Sequence, residues 1–187
     1  MNLANTQPIP NSLEEQPGFS VSQKLQQEVA ELVSHYPQKR SASLMVLHLV
    51  QEEFGFISRQ AVEWVASVLE LQPINVYELV TFYPMFHRRK VGRTHFRICR
   101  TLSCALAGSY KVHEFFCNEL KLDPKVHGPQ TTPDGKFTVE FVECLAGCGK
   151  APVMMCNDVI HEGVEMEKAK KILAAASPMN DAGGVRK

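Results

Sequence analysis

The sequence predicts an α+β protein, with a small helical bundle over residues 20–90 followed by a small α/β domain over residues 91–177. Three observations carry that division. Up to residue 82, apolar residues recur every three or four positions, the period of helices. After residue 93, two stretches alternate apolar with polar residues, the period of strands, and a helical stretch lies between them. Between the halves runs Tyr83-Pro-Met-Phe-His-Arg-Arg-Lys-Val-Gly92, where proline, glycine and charge mark a boundary near residue 90.

Residues 1–19 hold Pro8, Pro10 and Pro17 among polar neighbours and read as a loose, flexible arm. Ser20 with Gln23 resembles a capping box, and Leu25, Val29, Leu32, Val33 and Tyr36 form the face of the helix it starts. Pro37 ends that run. The stretch from Ser41 to Phe54 is apolar enough to be either strand or helix; its length selects helix, with Gly55 as C-cap. Ser58 caps a third helix with Ala61, Val62, Val65, Ala66 and Leu69 inward. Pro73 suits the first turn of a fourth, which runs to about Phe82. This half has no cysteine and no catalytic pair, so its expected work is packing and partner contact.

In the second half, Thr94 to Cys99 alternates as a strand and delivers Cys99 at its end. One helix is expected from Ser103 to Leu120, with Leu106, Tyr110, His113, Cys117 and Leu120 on its inner stripe. Cys104 then falls near a helix N-terminus, where amides and the helix dipole favour thiolate. Pro124 to Gly135 reads as loop, and Lys136 to Glu143 as a second strand that delivers Cys144. A hairpin turning at Asn157-Asp158 follows, then a helix stopped by Ser177-Pro178 and a mobile tail over 178–187. The order β-α-β-β-α is the core of a thioredoxin-like layer of sheet and helices. No Cys-x-x-Cys pair is present, which disfavours thiol–disulfide exchange.

Lys+Arg and Asp+Glu both number 20, and that balance argues against nucleic acid as the main partner. The basic run His87-Arg88-Arg89-Lys90 reads as a solvated loop. No stretch is long and apolar enough to insert directly into a membrane, and the start lacks the features of a signal or transit peptide. A reducing compartment, the bacterial cytoplasm, is expected, where paired cysteines point to metal or redox chemistry before disulfides.

Four of the 6 cysteines form two close pairs, Cys99-x4-Cys104 and Cys144-x3-Cys148. Gly147, Gly149 and Pro152 shape the loop around Cys148. Thiolates in two pairs suit a [2Fe–2S] cluster, which takes two on each iron. Structural zinc also takes four cysteines, and the spacing leaves it open. A disulfide pairing ranks last for the compartment. Cys117 and Cys156 read as buried thiols acting as small apolar residues.

The four-cysteine pattern, with Glu143 before Cys144 and Ala151-Pro152-Val153 after Cys148, resembles the thioredoxin-like [2Fe–2S] ferredoxin family. More narrowly it is similar to the small ferredoxin-like subunits of NADH–quinone oxidoreductase, respiratory complex I. Thr81-Phe82-Tyr83-Pro-Met-Phe86 and Asn157-Asp158 extend that likeness. The resemblance implies one [2Fe–2S] cluster with Cys99, Cys104, Cys144 and Cys148 as ligands. It implies one-electron exchange with FMN on a flavin- and NADH-binding partner subunit, within a larger complex peripheral to the inner membrane. The chain has no Gly-x-Gly-x-x-Gly turn of its own, in keeping with that division of labour. Equivalent subunits of NAD-linked hydrogenases and formate dehydrogenases share the pattern, and a zinc-stapled interaction module is the reading from another class. Two roles stand for Arg100: a cation that stabilises the reduced cluster, or a solvated side chain.

Overall fold

The computed structural model describes residues 13–181, with side chains as far as residue 176. Residues 1–12 of the expected arm and 182–187 of the expected tail lie outside that range. The chain divides into two compact units between Lys90 and Val91.

The first unit holds α1 (Gln23–Ser34), a short 3-10 turn (Lys39–Ala42), α2 (Ser43–Phe54), α3 (Arg59–Leu69) and α4 (Pro73–Phe82). Its core joins Leu25 and Val29 of α1, Val46, Leu47 and Val50 of α2, the predicted face of α3, and Val76 and Val80 of α4. The cap of α1 is Ser22, not Ser20: its hydroxyl oxygen accepts from the Leu25 amide at 3.1 Å and donates to Glu53 at 2.9 Å. A carboxylate from the end of α2 thus holds a serine that lacks the capping-box partner Ser20 has in Gln23. Ser58 caps α3 as expected, accepting from the Ala61 amide at 3.1 Å. Gly55 closes α2 at φ +80°, in the left-handed region where a Cβ would be strained. The segment before Ser20 is not loose within the described residues. Leu13 is buried in the core, and the Glu14 amide donates to the Arg88 carbonyl. Phe19 packs on Phe54 with ring centroids 4.9 Å apart.

The second unit is a sheet in the order β2-β3-β1-β4-β5, with helices packed on it. Its elements are β1 (Thr94–Cys99), α5 (Leu102–Leu106), α6 (Ser109–Glu119), β2 (Gln130–Thr131), β3 (Phe137–Val142), β4 (Met154–Cys156), β5 (Val159–His161) and α7 (Met166–Asp181). β1 and β3 are parallel neighbours at the centre, in register from Thr94 opposite Phe137 to Cys99 opposite Val142. Parallel strands need a crossover, and α5–α6 supplies it. Phe96 and Ile98 of β1 and Val139 and Phe141 of β3 face Val112 and Phe116 of α6 and Ala169 and Ile172 of α7. The Phe96 and Phe116 rings meet at 4.5 Å. Burying each such ring stabilises the unit by about 2–3 kcal/mol.

Three expectations change here. The helix from Ser103 to Leu120 is two helices, broken at Gly108, whose φ of +102° no helix accommodates. The break turns Leu106 and Tyr110 outward, while His113 and Cys117 stay buried. Within the expected loop, Gln130 and Thr131 pair with β3 as a short edge strand. Finally, α7 continues through Ser177-Pro178 to Asp181. Proline removes one helical hydrogen bond, but its φ near −65° is helical, so a break does not have to follow.

Candidate metal centre

The parallel register of β1 and β3 places their C-terminal ends side by side, and all four paired cysteines lie just beyond or at those ends. Cys99 closes β1. Cys104, the third residue of α5, is buried with it against Val153. Leu102 and Leu106, two residues to either side of Cys104, are 75% and 81% exposed, so α5 turns its cysteine inward and its leucines outward. From β3 the chain runs through Glu143 to Cys144, then folds through Ala146 and Gly147 to Cys148, which opens a one-turn 3-10 segment (Cys148–Lys150). Gly147 lies against the floor of this loop: a Cβ there would stand 2.9 Å from Cγ2 of buried Val153. Cys144 and Cys148 are exposed, whereas Cys99 and Cys104 are buried.

The Sγ atoms of Cys144 and Cys148 are 3.7 Å apart. Two thiolates bound about 2.3 Å from one tetrahedral metal stand roughly 3.8 Å from each other, so this pair already has the spacing of shared ligands. The Ala146 amide donates to Cys144 Sγ at 3.3 Å. The pairs also sense one another. The Cys148 thiol is pushed up chiefly by Cys144, then by burial and by Cys99. Burial, followed by Cys99, pushes Cys104 up to about 11, with Cys148 adding to it. The helix N-terminus expected to favour a Cys104 thiolate is therefore overruled, because α5 is five residues long and the sulfur is out of water.

Cys99 behaves differently. Burial would raise it, yet hydrogen bonds from the Thr101 hydroxyl and from the amides of Thr101 and Leu145 outweigh burial and hold the thiol below its ordinary value. Thr101 Oγ1 lies 3.2 Å from Cys99 Sγ. Arg100 pairs with a carboxylate next to Cys144 in sequence. Its Nε donates to Glu143 at 3.0 Å, and both side chains are open to solvent. Thr101, Leu145 and Ala146 did not stand out in the sequence, and Val153 did so only as a flank of the cysteine pattern. A threonine two residues after the first cysteine was the one available signal.

Cys117 and Cys156 stay out of this cluster. Cys117 is fully buried between α6 and the sheet, its thiol pushed up to about 11 by burial and then by Asp123. Cys156 is half-buried on β4, and burial raises its thiol too.

The Cys144–Cys148 pair has the spacing of two ligands on one metal, and buried Cys99 and Cys104 lie within electrostatic reach of it, four donors of the type a [2Fe–2S] cluster takes. Among the described residues no group of three His, Cys, Asp or Glu side chains converges as the ligand set of a single ion.

The thioredoxin-like [2Fe–2S] ferredoxin family matches residues 29–177. The chain belongs to that family. One [2Fe–2S] cluster is accordingly its cofactor. The second E-type subunit of NADH-quinone oxidoreductase in Rhizobium meliloti (strain 1021) is 36% identical over 149 residues, which cover 80% of this chain and 86% of that protein. The E-type subunit of NADH-quinone oxidoreductase in Rickettsia felis (strain ATCC VR-1525 / URRWXCal2) is 37% identical over 158 residues, covering 83% of this chain and 92% of that one. Among solved structures, an NAD+-reducing [NiFe]-hydrogenase in the H2-reduced state shares the fold over 73% of this chain, with a TM-score of 0.62 and 16% identity. This chain spans 22% of that hydrogenase chain.

Proposed function

We propose that this chain is the [2Fe–2S] electron-transfer subunit of the NADH-oxidising module of an NADH–quinone oxidoreductase, with Cys99, Cys104, Cys144 and Cys148 as the cluster's ligands. The meeting of the two cysteine pairs at one edge of the sheet carries the reading. The relatives' names supply its setting, with FMN and NADH on a partner flavin subunit. Attachment is through partner subunits, peripheral to the inner membrane on its cytoplasmic side. No helix among the described residues is long and apolar enough to cross a membrane.

When bound, the cluster supplies one-electron exchange. The chain's residues do the rest. Buried Cys99 and Cys104, backed by Val153, shield one pair from water, and the exposed Cys144–Cys148 loop leaves the other at the surface. The amides of Thr101, Leu145 and Ala146 face ligand sulfurs and offset part of their charge.

Anaerobic purification followed by iron, sulfide and zinc analysis tests the cofactor, and EPR of the dithionite-reduced chain tests its redox role. The expected result is equal iron and sulfide with an EPR signal on reduction, lost when any of the four ligand cysteines becomes alanine. Cys117→Ala and Cys156→Ala keep the signal. A colourless, zinc-loaded, EPR-silent chain overturns the proposal. Co-purification with a flavoprotein that reduces the cluster from NADH tests the partner.

A further inference from the structure

Thr101 occupies the N-cap position of α5, with extended backbone at φ −70° and ψ 164°. A threonine there ordinarily turns its oxygen to an amide of the first helical turn, worth about 1 kcal/mol. Here it makes no such bond. Its Oγ1 lies instead 3.2 Å from Cys99 Sγ. In a free thiol either atom can donate. A cysteine bound to iron has no proton on sulfur, so cluster binding leaves only the threonine O–H as donor.

Resting on the reading of Cys99 as a cluster ligand, we infer that the Thr101 hydroxyl donates a hydrogen bond to the Cys99 sulfur of the bound cluster and raises its reduction potential. Reduction adds one electron and moves no proton in this step, so the cluster and its sulfurs gain one negative charge. A hydrogen bond to a more negative acceptor is stronger, which favours the reduced state. The bond also forms at the buried pair, where water does not compete for the sulfur. Thr101 is therefore a positioning residue that sets the potential through Cys99. Arg100, next to it in sequence, donates to Glu143.

The test is an EPR-monitored redox titration of the full cluster-loaded chain and its variants Thr101→Val and Thr101→Ser. Valine keeps the branched shape and removes the donor; serine keeps the donor. The expected result is a three- to tenfold fall in the reduced-to-oxidised ratio at fixed potential for Thr101→Val, tenfold being about 59 mV for one electron. Thr101→Ser returns to within twofold of the parent. Thr101→Ala is the second donor-free variant if Thr101→Val fails to assemble. Equal potentials in parent, valine and alanine chains overturn the inference, as does a serine variant shifted as far as valine. If the parent chain holds no [2Fe–2S] cluster, the proposed function falls as well. A loaded parent with no effect at Thr101 overturns the tuning role alone.

Discussion

Acidification should destabilise the second unit through one buried histidine. The ring of His113, on α6, is 1% exposed and stacks on Phe141 of β3 with centroids 3.9 Å apart. Its polar neighbours are Cys117 Sγ, 3.6 Å from Nε2, and the His127 ring at 6.1 Å. Burial, and then the neighbouring His127, lowers its pKa from 6.5 to about 4. The unfolded chain therefore binds a proton near pH 6.5 that the folded chain refuses until about pH 4. Stability is full above pH 6.5 and drains away as pH falls towards 4, by about 3 kcal/mol over the whole window. Between pH 7 and 5 the loss is about 2 kcal/mol, or roughly 20-fold in the opening equilibrium. Hydrogen exchange of β1 and β3 amides in the cluster-loaded chain, corrected for intrinsic rates, reads that unit directly. His113→Leu removes the titrating group, so its protection should fall about 20-fold less than the parent's between the two pH values. An identical pH response in parent and variant would refute the reasoning.

Two further perturbations test the packing around the site and the first unit. Gly147→Ala sets a methyl 2.9 Å from stiff, buried Val153. It should lower cluster occupancy and cost about 1–3 kcal/mol, with iron per chain and the thermal midpoint as readouts. Adding Val153→Ala should restore part of both. Ser58→Ala removes the α3 cap and should cost the first unit about 1 kcal/mol. Trp64, the protein's one tryptophan, lies on that same helix, so its fluorescence during guanidinium unfolding reports the shift, and Ser58→Thr should retain most of the stability.

The four helices of the first unit were readable because their signals are local. Gly55 stops α2, Ser58 starts α3 and Pro73 opens α4, each acting on its own backbone. Strands β1 and β3 were readable from alternation, and with them the positions of Cys99 and Cys144 at strand ends. Where a distant group takes part, the local pattern misleads. Ser20 with Gln23 matches a capping box, yet Ser22 caps α1, its hydroxyl held by Glu53, 31 residues away. Gly108 sits inside a helical pattern that tolerates glycine, yet its φ of +102° separates α5 from α6.

At the metal centre the same boundary holds. Residue type and spacing alone showed that two cysteine pairs exist and set Cys117 and Cys156 apart from them, and with the expected compartment they pointed to thiolate ligation before disulfides. Those properties belong to single side chains and short stretches of backbone. Only the tertiary structure decided that Cys99 collects the hydrogen bonds, that burial opposes a Cys104 thiolate, and that Glu143 matches Arg100. Charge and hydrogen bonding act through distance and dielectric. Arg100 meets a carboxylate 43 residues away, and Val153 shields sulfurs that precede it by about fifty, contacts that exist only once β1 and β3 lie side by side.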